Sequence, residues 1–191
     1  MKVIGISGSS RKNGNTAIII KTVFEELSKA GIETELIQLA DIDIQPCRAC
    51  FACKGKKNCV FKNDGFSDVF NRMVEADGII LGSPVYSADV SSKMKAFLDR
   101  GGVVVATNPE LLKHKVGASV AAVRRAGGMT AVDAMNHFML NKEMIVVGST
   151  YWNMVYGKEI GDVLNDEEGM ENMRNLGQNM TWLLKRLDKQ G

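Results

Sequence analysis

KVIGISGSSRKNGNT, residues 2–16, joins a short apolar run to a loop of glycine and small polar residues. Residues 2–7 predict a buried β-strand, because the run is short, apolar and followed at once by turn residues. After residue 16, apolar side chains recur at helical spacing until Gly31 supplies a helix stop. These apolar side chains are Ile20, Val23, Phe24 and Leu27. The opening of the chain therefore predicts a strand, a polar loop and a helix.

The same alternation of apolar runs and amphipathic stretches continues along the whole chain. Further strands are predicted at residues 34–39, 78–82, 116–123 and 144–147, and further helices around residues 66–73, 90–98, 132–139 and 170–187. Parallel strands joined by crossover helices need a sheet that is covered on both faces. We therefore predict an α/β protein with a flavodoxin-like doubly wound five-stranded parallel sheet, strand order 2-1-3-4-5 and helices on both faces. In the last helix, the core positions are predicted to be Met170, Met173, Leu176, Met180, Leu183, Leu184 and Leu187.

Length and composition indicate one ordinary globular domain over residues 1–191, with a cysteine-rich insertion at about 40–64. The chain is 45% hydrophobic and 24% charged, which argues against disorder, and its net charge of +2 gives no field for nucleic acid or membrane. No apolar run approaches the roughly 18 residues of a membrane span. Residues 1–8 lack the apolar region and cleavage site of a signal peptide. We expect a cytoplasmic protein with no nucleic-acid or membrane partner.

Doubly wound sheets bind ligands beyond the carboxyl ends of their strands, which directs attention to the loops after residues 7, 82, 123 and 147. The first loop leads into a helix N-terminus, where free N–H groups favour an anion. The Walker A motif is excluded because Asn15 stands where its lysine belongs, and the glycine spacing of the NAD fingerprint is absent. A phosphate group is predicted there; a plain polar turn capped by Asn15 or Thr16 is the alternative. The loop offers donors and charge from Ser9, Ser10, Arg11, Lys12, Asn13, Asn15 and Thr16.

The next two loops have the character of a planar-ring site. Residues 82–87 contain Pro84, which stiffens the loop, and Tyr86, which can cover a ring face. Residues 123–128 contain two arginines followed by two glycines, which let backbone approach a ligand closely. Beyond these loops, Lys93, Lys95, Asp99 and Arg100 are expected to form a solvated helix face. No acid–base residue is predicted to be catalytic; both His114 and His137 are isolated from any catalytic motif.

All four cysteines fall in one short window with the spacing Cys-x2-Cys-x2-Cys-x5-Cys. Three thiolates at steps of three, closed by a fourth, favour a [4Fe–4S] cluster, since ferredoxins open with the same triplet. Zinc is disfavoured because the two knuckles of a structural zinc site are usually a dozen or more residues apart. Metal-free thiols are the other alternative. The candidate metal ligands are Cys47, Cys50, Cys53 and Cys59, surrounded by Lys54, Lys56, Lys57 and Lys62.

Residues 8–16, residues 82–86 and the cysteine cluster together resemble the iron–sulfur flavoprotein branch of the NAD(P)H-dependent FMN reductase superfamily. The resemblance runs nearly end to end and includes residues 151–157 and 166–169. It implies that FMN is the ligand, with its phosphate on the first loop, its ring on the second and the far ring edge near the third. The FMN-binding residues it implies are Ser9, Arg11, Asn13, Asn15, Thr16, Pro84, Val85, Tyr86, Ser87, Arg124, Gly127 and Gly128.

The resemblance implies an FMN-dependent oxidoreductase that passes electrons between a [4Fe–4S] cluster and FMN. NAD(P)H or ferredoxin is the expected electron donor, and a small molecule the acceptor. The alternatives are an NAD(P)H-dependent FMN or quinone reductase without a cluster, and a non-enzymatic FMN carrier. We expect a homodimer or homotetramer with FMN near a subunit interface. Trp152, Met154 and Tyr156, expected in the loop after the fifth strand, are candidate contact residues, with burial beneath the last helix as the alternative.

Overall fold

A parallel sheet forms the centre of the protein, of which a computed structural model describes residues 1–188. Its strands are β1 (Lys2–Ser7), β2 (Glu33–Gln38), β3 (Gly78–Pro84), β4 (Val116–Val123), β5 (Ile145–Val146) and β6 (Met154–Tyr156). In space the order is β2-β1-β3-β4-β5, with every pairing parallel, and β6 also pairs with β4. The predicted order and the flavodoxin-like fold class are confirmed.

Helices cover both faces of the sheet, as predicted. They are α1 (Asn15–Lys29), α2 (Phe66–Glu75), α3 (Ser92–Ala106), α4 (Gly128–Leu140) and α5 (Glu167–Asp188). One core contains Ile19 of α1 and Met173 of α5, and the other contains Phe70, Phe97 and Phe138 of α2, α3 and α4. The cysteine-rich insertion joins the second core through two of its cysteines. Within residues 1–188, no helix combines the length and apolar character needed to cross a bilayer.

The fifth strand position is filled by two short pieces rather than by the single strand predicted at 144–147. β5 pairs with Val116 and Gly117 at the start of β4, and β6 pairs with residues 121–123 at its end. Between them the chain leaves the sheet and is held by the buried Asn172 of α5, whose amide bonds Tyr151 N–H at 3.1 Å and Trp152 carbonyl at 2.8 Å. The prediction that Met154 and Tyr156 lie in a loop is therefore wrong, and the carboxyl edge is reached at residue 157 instead of 147.

Two predictions about helix faces are also wrong. Leu187 of α5 is 38% exposed, because the amphipathic repeat continues past the end of the core that α5 covers. Arg100 of α3 is buried rather than solvated, at 3% exposure. Lys93, the second residue of α3, donates to the carbonyls of residues 39, 40 and 42. Lys93 and Arg100 face another part of the chain, the insertion after β2, so their charges have protein partners. Lys95 and Asp99 are exposed, as predicted, and pair with each other.

Candidate functional site

A cavity of about 230 Å³ opens at the carboxyl edge of the sheet, where the loops after β1, β3, β4 and β6 meet. We call residues 8–14 the β1 loop and residues 157–161 the closing loop. The residues around the cavity are Ser9, Arg11, Asn15, Thr16, Pro84, Val85, Tyr86, Ala122, Arg124, Gly157, Lys158 and Glu159. The cavity lies at the helix N-terminus of α1, whose first N–H groups have no partner inside the helix. Both arginines add positive charge, so the site suits an anionic ligand.

Thr16 carries the clearest sign of a missing partner. Its side chain is 1% exposed, and its hydroxyl has no hydrogen-bond partner among the described residues. A buried polar group without a partner costs about 1–3 kcal/mol, so such groups are rare unless a ligand completes them. Ser9, also buried, accepts from Arg11 N–H at 3.0 Å and donates to the Arg11 carbonyl at 3.2 Å. Ser9 therefore shapes the β1 loop, while the Thr16 hydroxyl is free for a ligand.

The closing loop is tied to α1 by the side chain of Asn15. Its amide donates to the Glu159 carbonyl at 2.9 Å and accepts from Gly161 N–H at 2.8 Å. Arg11 donates to the Lys158 carbonyl at 3.2 Å. Since both ends of the Asn15 amide are engaged, this side chain positions the wall of the cavity.

Residues 84–89 form a tight hairpin that borders the cavity. Tyr86 and Asp89 exchange two backbone hydrogen bonds, of 2.9 and 3.1 Å, and the two residues between them have positive φ angles of 50° and 63°. Left-handed backbone in Ser87 and Ala88 is strained, since neither is glycine, and strain of this kind is typical of functional loops. The hairpin holds Pro84 and Tyr86 at the cavity, with Tyr86 half-exposed above it.

The loop after β4 packs behind this hairpin. Gly127 has φ +82°, and a Cβ there would lie 2.8 Å from Ala88 Cα and 2.9 Å from Val85 Cγ1. Glycine is required both by the backbone angle and by the close approach. At Gly128 a Cβ would lie 2.7 Å from Met154 Sδ. The two glycines let the loop and β6 support the hairpin closely, and the exposed Arg124 lines the cavity beside them.

Eight of the twelve residues predicted for the ligand line the cavity. Four do not: Asn13, Ser87, Gly127 and Gly128. Asn13 is paired with Gln38 of β2, whose side-chain oxygen accepts from Asn13 N–H at 2.7 Å. Sequence reasoning missed Ala122 and the closing-loop residues Gly157, Lys158 and Glu159. The signal for the closing loop was the Met-Val-Tyr-Gly run at 154–157, a short β-type run ended by glycine.

The four cysteines surround a second cavity, of about 20 Å³, which the C-terminal half of α3 also lines with Arg100, Val103 and Val104. All four are free thiols; Cys53 and Cys59 are buried, Cys47 is half-buried and Cys50 is exposed. Between residues 45 and 64, which we call the cysteine segment, left-handed residues bend the chain sharply: Ala49, Phe51, Gly55 and Lys57. Within residues 1–188, no three His, Cys, Asp or Glu side chains lie close enough together to hold a single metal ion. The thiols instead share one cavity at wider spacing.

Helix α3 anchors the cysteine segment at its middle and at its end. Asn108, just after α3, donates to the Cys53 carbonyl at 3.0 Å and accepts from Lys57 N–H at 2.9 Å. Thr107 Oγ1 lies 3.4 Å from Cys53 Sγ. Nearer the middle of the helix, Arg100 Nη1 donates to Asp64 Oδ2 at 2.5 Å. One helix therefore positions most of this segment.

Both members of the buried pair of Arg100 and Asp64 are ionised. Burial lowers the pKa of the Arg100 guanidinium, but hydrogen bonds and Coulomb attraction to Asp64 and Cys59 outweigh burial and raise it. Burial raises the pKa of Asp64, and the Gln45 N–H and the Arg100 guanidinium more than reverse this, so the net pKa lies below the usual range. A full positive charge thus stands beside the cysteine cavity.

Comparison with known proteins assigns the family to which this chain belongs. Residues 1–159 match the NADPH-dependent FMN reductase family. Over 196 residues, 99% of this chain and 100% of the relative, the chain is 40% identical to an iron–sulfur flavoprotein of Methanocaldococcus jannaschii. The chain belongs to the iron–sulfur flavoprotein branch of the FMN reductase superfamily. The resemblance identified from the sequence is confirmed.

A second relative and a solved structure agree with this assignment. An iron–sulfur flavoprotein of Methanosarcina thermophila is 37% identical over 150 residues, 78% of each chain. A flavodoxin from the domain Archaea superposes with a TM-score of 0.65 over 97% of this chain and 99% of its own, at 18% identity. The latter supports the fold alone. FMN binding and an oxidoreductase activity follow from the family.

Replacing Asn15 by alanine should loosen the closing loop, because Gly161 N–H loses its acceptor and the Glu159 carbonyl loses its donor. We expect amide hydrogen exchange at residues 157–161 to accelerate about fivefold, as for loss of a net hydrogen bond of about 1 kcal/mol. Exchange is measured by mass spectrometry on the flavin-free protein. Asn13→Ala, which removes an exposed amide bonded to Gln38 instead, should leave these peptides unchanged. Equal rates in wild type and Asn15→Ala would contradict the role given to Asn15.

Proposed function

We propose that this protein is an FMN-dependent oxidoreductase in which electrons pass between a [4Fe–4S] cluster on the four cysteines and FMN in the carboxyl-edge cavity. The observation that carries the proposal is that both sites are built on α3. At the N-terminus of α3, Ser91 Oγ donates to the Gly8 carbonyl at 2.6 Å, and Ser91 N–H donates to Ser83 Oγ at 2.9 Å. Arg100 lies nine residues further along, about 14 Å along the helix axis. The two sites are therefore joined by one rigid element.

The residues of the first cavity fit the phosphate of FMN. The unpartnered Thr16 hydroxyl, the N-terminus of α1 and the charge of Arg11 all favour a dianion at the β1 loop. Pro84, Val85 and Tyr86 then border the ring, and Arg124 lies beside them. We assign no acid–base residue a catalytic role, because flavin supplies its own chemistry and the protein binds, orients and tunes it.

The side chains around the cysteine cavity are of the kind that bind an iron–sulfur cluster. Four free thiols border one space, and in a [4Fe–4S] cluster each iron takes one thiolate. The volume of about 20 Å³ has room for one water molecule at most, so the cysteine segment has to open outward to admit a cluster. Most of the segment is exposed, with only Cys53, Asn58 and Cys59 buried between residues 45 and 63, which leaves it free to do so.

When bound, FMN supplies one- and two-electron transfer and a cluster supplies one-electron transfer. The chain itself contributes positioning and charge. Arg48, Lys54, Lys56, Lys57 and Lys62 are exposed around the cysteines and offset the negative charge of thiolates. The same surface suits an acidic electron donor such as ferredoxin. A small-molecule acceptor would meet the flavin at the half-exposed Tyr86.

A reductase that uses NAD(P)H and holds no cluster is the second candidate function. Two observations favour it: the description of the matching family, and the cysteine cavity, which is too small for a cluster until the segment opens. Reduction of the protein by ferredoxin, without oxidation of NAD(P)H, supports the cluster-dependent function. Rapid NAD(P)H oxidation by iron-free protein supports the second candidate. Absence of turnover with any small acceptor indicates a non-enzymatic FMN carrier.

Thr16→Val keeps the shape of the side chain and removes its hydroxyl. Because a hydrogen bond to a charged group contributes about 1.5–3 kcal/mol, the dissociation constant for FMN should rise about 10- to 150-fold. The flavin-free protein should be equally or more stable to urea, since an unpaired buried hydroxyl is gone. Fluorescence titration of FMN measures the first effect.

Thr22→Val is the matched control, because the buried Thr22 lies on the same helix and its hydroxyl already bonds the Ile18 carbonyl. This variant should bind FMN like wild type. Unchanged FMN affinity in Thr16→Val would show that the phosphate lies elsewhere.

Serine substitutions at Cys47, Cys50, Cys53 or Cys59 should each abolish or destabilise the cluster and leave FMN bound, because the two sites use separate loops. Iron, acid-labile sulfide and FMN are assayed per chain after anaerobic reconstitution. Retained FMN serves as the internal control for folding. Uptake of neither iron nor sulfide by the wild type would eliminate the cluster-dependent function.

We also propose that the chain forms a homodimer or homotetramer with the flavin near the interface. Tyr151 and Trp152 are 64% and 55% exposed, and Tyr156, half-exposed, immediately precedes the closing loop. Burial beneath the last helix therefore does not account for these rings, and exposed aromatic clusters mark interaction surfaces. Sedimentation at micromolar concentration should give at least twice the mass of one chain, and less for Trp152→Ala. A monomeric holoprotein would refute the assembly.

A further inference from the structure

Arg100 is a buried charge in a helix that otherwise buries apolar side chains. Its neighbours on the same face of α3 include Phe97, Gly101 and Val104. The guanidinium stacks on the ring of Phe66, 4.4 Å from its centroid. Arg100 also borders the cavity shared by the four cysteines. Burying a charged side chain costs several kcal/mol of desolvation unless hydrogen bonds and opposite charges offset it. The partners of Arg100 therefore show why the charge is buried here.

The guanidinium closes the cysteine segment by bonding both of its ends. Nη1 donates to the Gln45 carbonyl at 3.3 Å, two residues before the first cysteine. Nη2 donates to the Phe61 carbonyl at 2.8 Å, two residues after the last cysteine, and Nη1 also bonds Asp64. Asp64 in turn accepts from Gln45 N–H at 2.8 Å. One guanidinium thereby holds three oxygens from the two ends of the segment, and its donors point in fixed directions, whereas a lysine ammonium is a freely rotating point charge.

Two of the five guanidinium N–H groups have no oxygen partner among residues 1–188. Arg100 and Cys59 both line the cysteine cavity. Cys59 is itself buried, so solvent does not screen this pair strongly. The buried charge of Arg100 therefore lies in the same cavity lining as Cys59, a candidate cluster ligand.

We propose that Arg100 is a positioning residue of the cysteine site: its hydrogen bonds fix both ends of the cysteine segment, and its buried charge beside the cysteine cavity raises the reduction potential of the cluster. The inference rests on the proposed cluster. One-electron reduction adds one negative charge at the cavity, and a fixed buried cation stabilises that extra charge. Net charge and hydrogen bonds to sulfur are the protein's main means of setting such potentials.

Asp64 has the opposite effect on the potential. Its carboxylate is fully buried and offsets part of the charge of Arg100. Removing the carboxylate charge leaves the guanidinium uncompensated, so the potential should rise. Removing the guanidinium charge leaves a buried carboxylate near the cavity, so the potential should fall. A purely structural role for the pair would not give shifts of opposite sign.

The experiment compares reconstituted wild type with Arg100→Gln, Arg100→Lys and Asp64→Asn. The readouts are the cluster midpoint potential by anaerobic dithionite titration, and iron, sulfide and FMN per chain. Arg48→Gln is the matched control, because Arg48 borders the same cavity and stacks on Phe61 at 4.7 Å, but is exposed. Its charge is screened by water, so its potential should stay near that of wild type.

We expect a more negative potential and less bound iron in Arg100→Gln, and a more positive potential in Asp64→Asn. Arg100→Lys keeps the charge without the fork, so it should lose iron while its residual cluster keeps nearly the wild-type potential. Potentials that are unchanged in both Arg100→Gln and Asp64→Asn, or shifted in the same direction, overturn the inference. If Arg100→Gln is misfolded and binds no FMN, the test is the midpoint potential of Asp64→Asn relative to that of Arg48→Gln. A more positive potential in Asp64→Asn supports the inference, and an equal or more negative one overturns it. A wild type without iron defeats the proposed cluster, and the inference with it.

Discussion

The N-terminal cap of α3 is the interaction on which both sites depend. Ser91 is buried, and its hydroxyl accepts from Met94 N–H at 3.1 Å while donating to the Gly8 carbonyl. Its own N–H donates to the hydroxyl of Ser83 in β3. A single serine therefore joins the β1 loop, the end of β3 and the start of α3. The orientation of α3 follows from these bonds, and with it the position of Arg100, Thr107 and Asn108 under the cysteine segment.

The positive charges at the two sites differ in their exposure to water, in keeping with the ligands proposed for them. Around the carboxyl-edge cavity, Arg11 and Arg124 are exposed, and water stabilises them when no anion is bound. Beside the cysteines, the charge of Arg100 is buried and fixed by Asp64. A buried charge loses its hydration when the protein folds. In the folded protein it then interacts strongly with its neighbours, because the effective dielectric constant around it is low. An exposed charge acts weakly and is screened by salt.

Six of the nine non-glycine residues with left-handed backbone in residues 1–188 lie in the loops of these sites, and the other three are Glu110, His114 and Glu143. Left-handed conformations at non-glycine residues occur in the β1 loop at Asn13, in the hairpin at Ser87 and Ala88, and in the cysteine segment at Ala49, Phe51 and Lys57. Such conformations cost of order 1 kcal/mol or more each and persist only where surrounding contacts impose them. The two-bond hairpin at Tyr86 and Asp89 and the bonds from Asn108 supply those contacts. Rigid strands and helices thus support loops whose shapes a free peptide would not adopt.

The sequence by itself determined the order of strands and helices, the carboxyl-edge location of the ligand loops and the clustering of the cysteines. These depend on local periodicity and short spacing: apolar runs, turn glycines and the three-residue steps between thiols. Only the tertiary structure decided that β6 completes the fifth strand position, that the closing loop borders the cavity, that Asn15 supports this loop, and that Arg100 is buried. Each of these depends on contacts between distant parts of the chain, such as Asn15 with Gly161 or Arg100 with Gln45. A polar residue on a helix gives the same sequence pattern whether its side chain faces water or another segment of the chain. Periodicity therefore cannot distinguish an exposed polar side chain from a buried one.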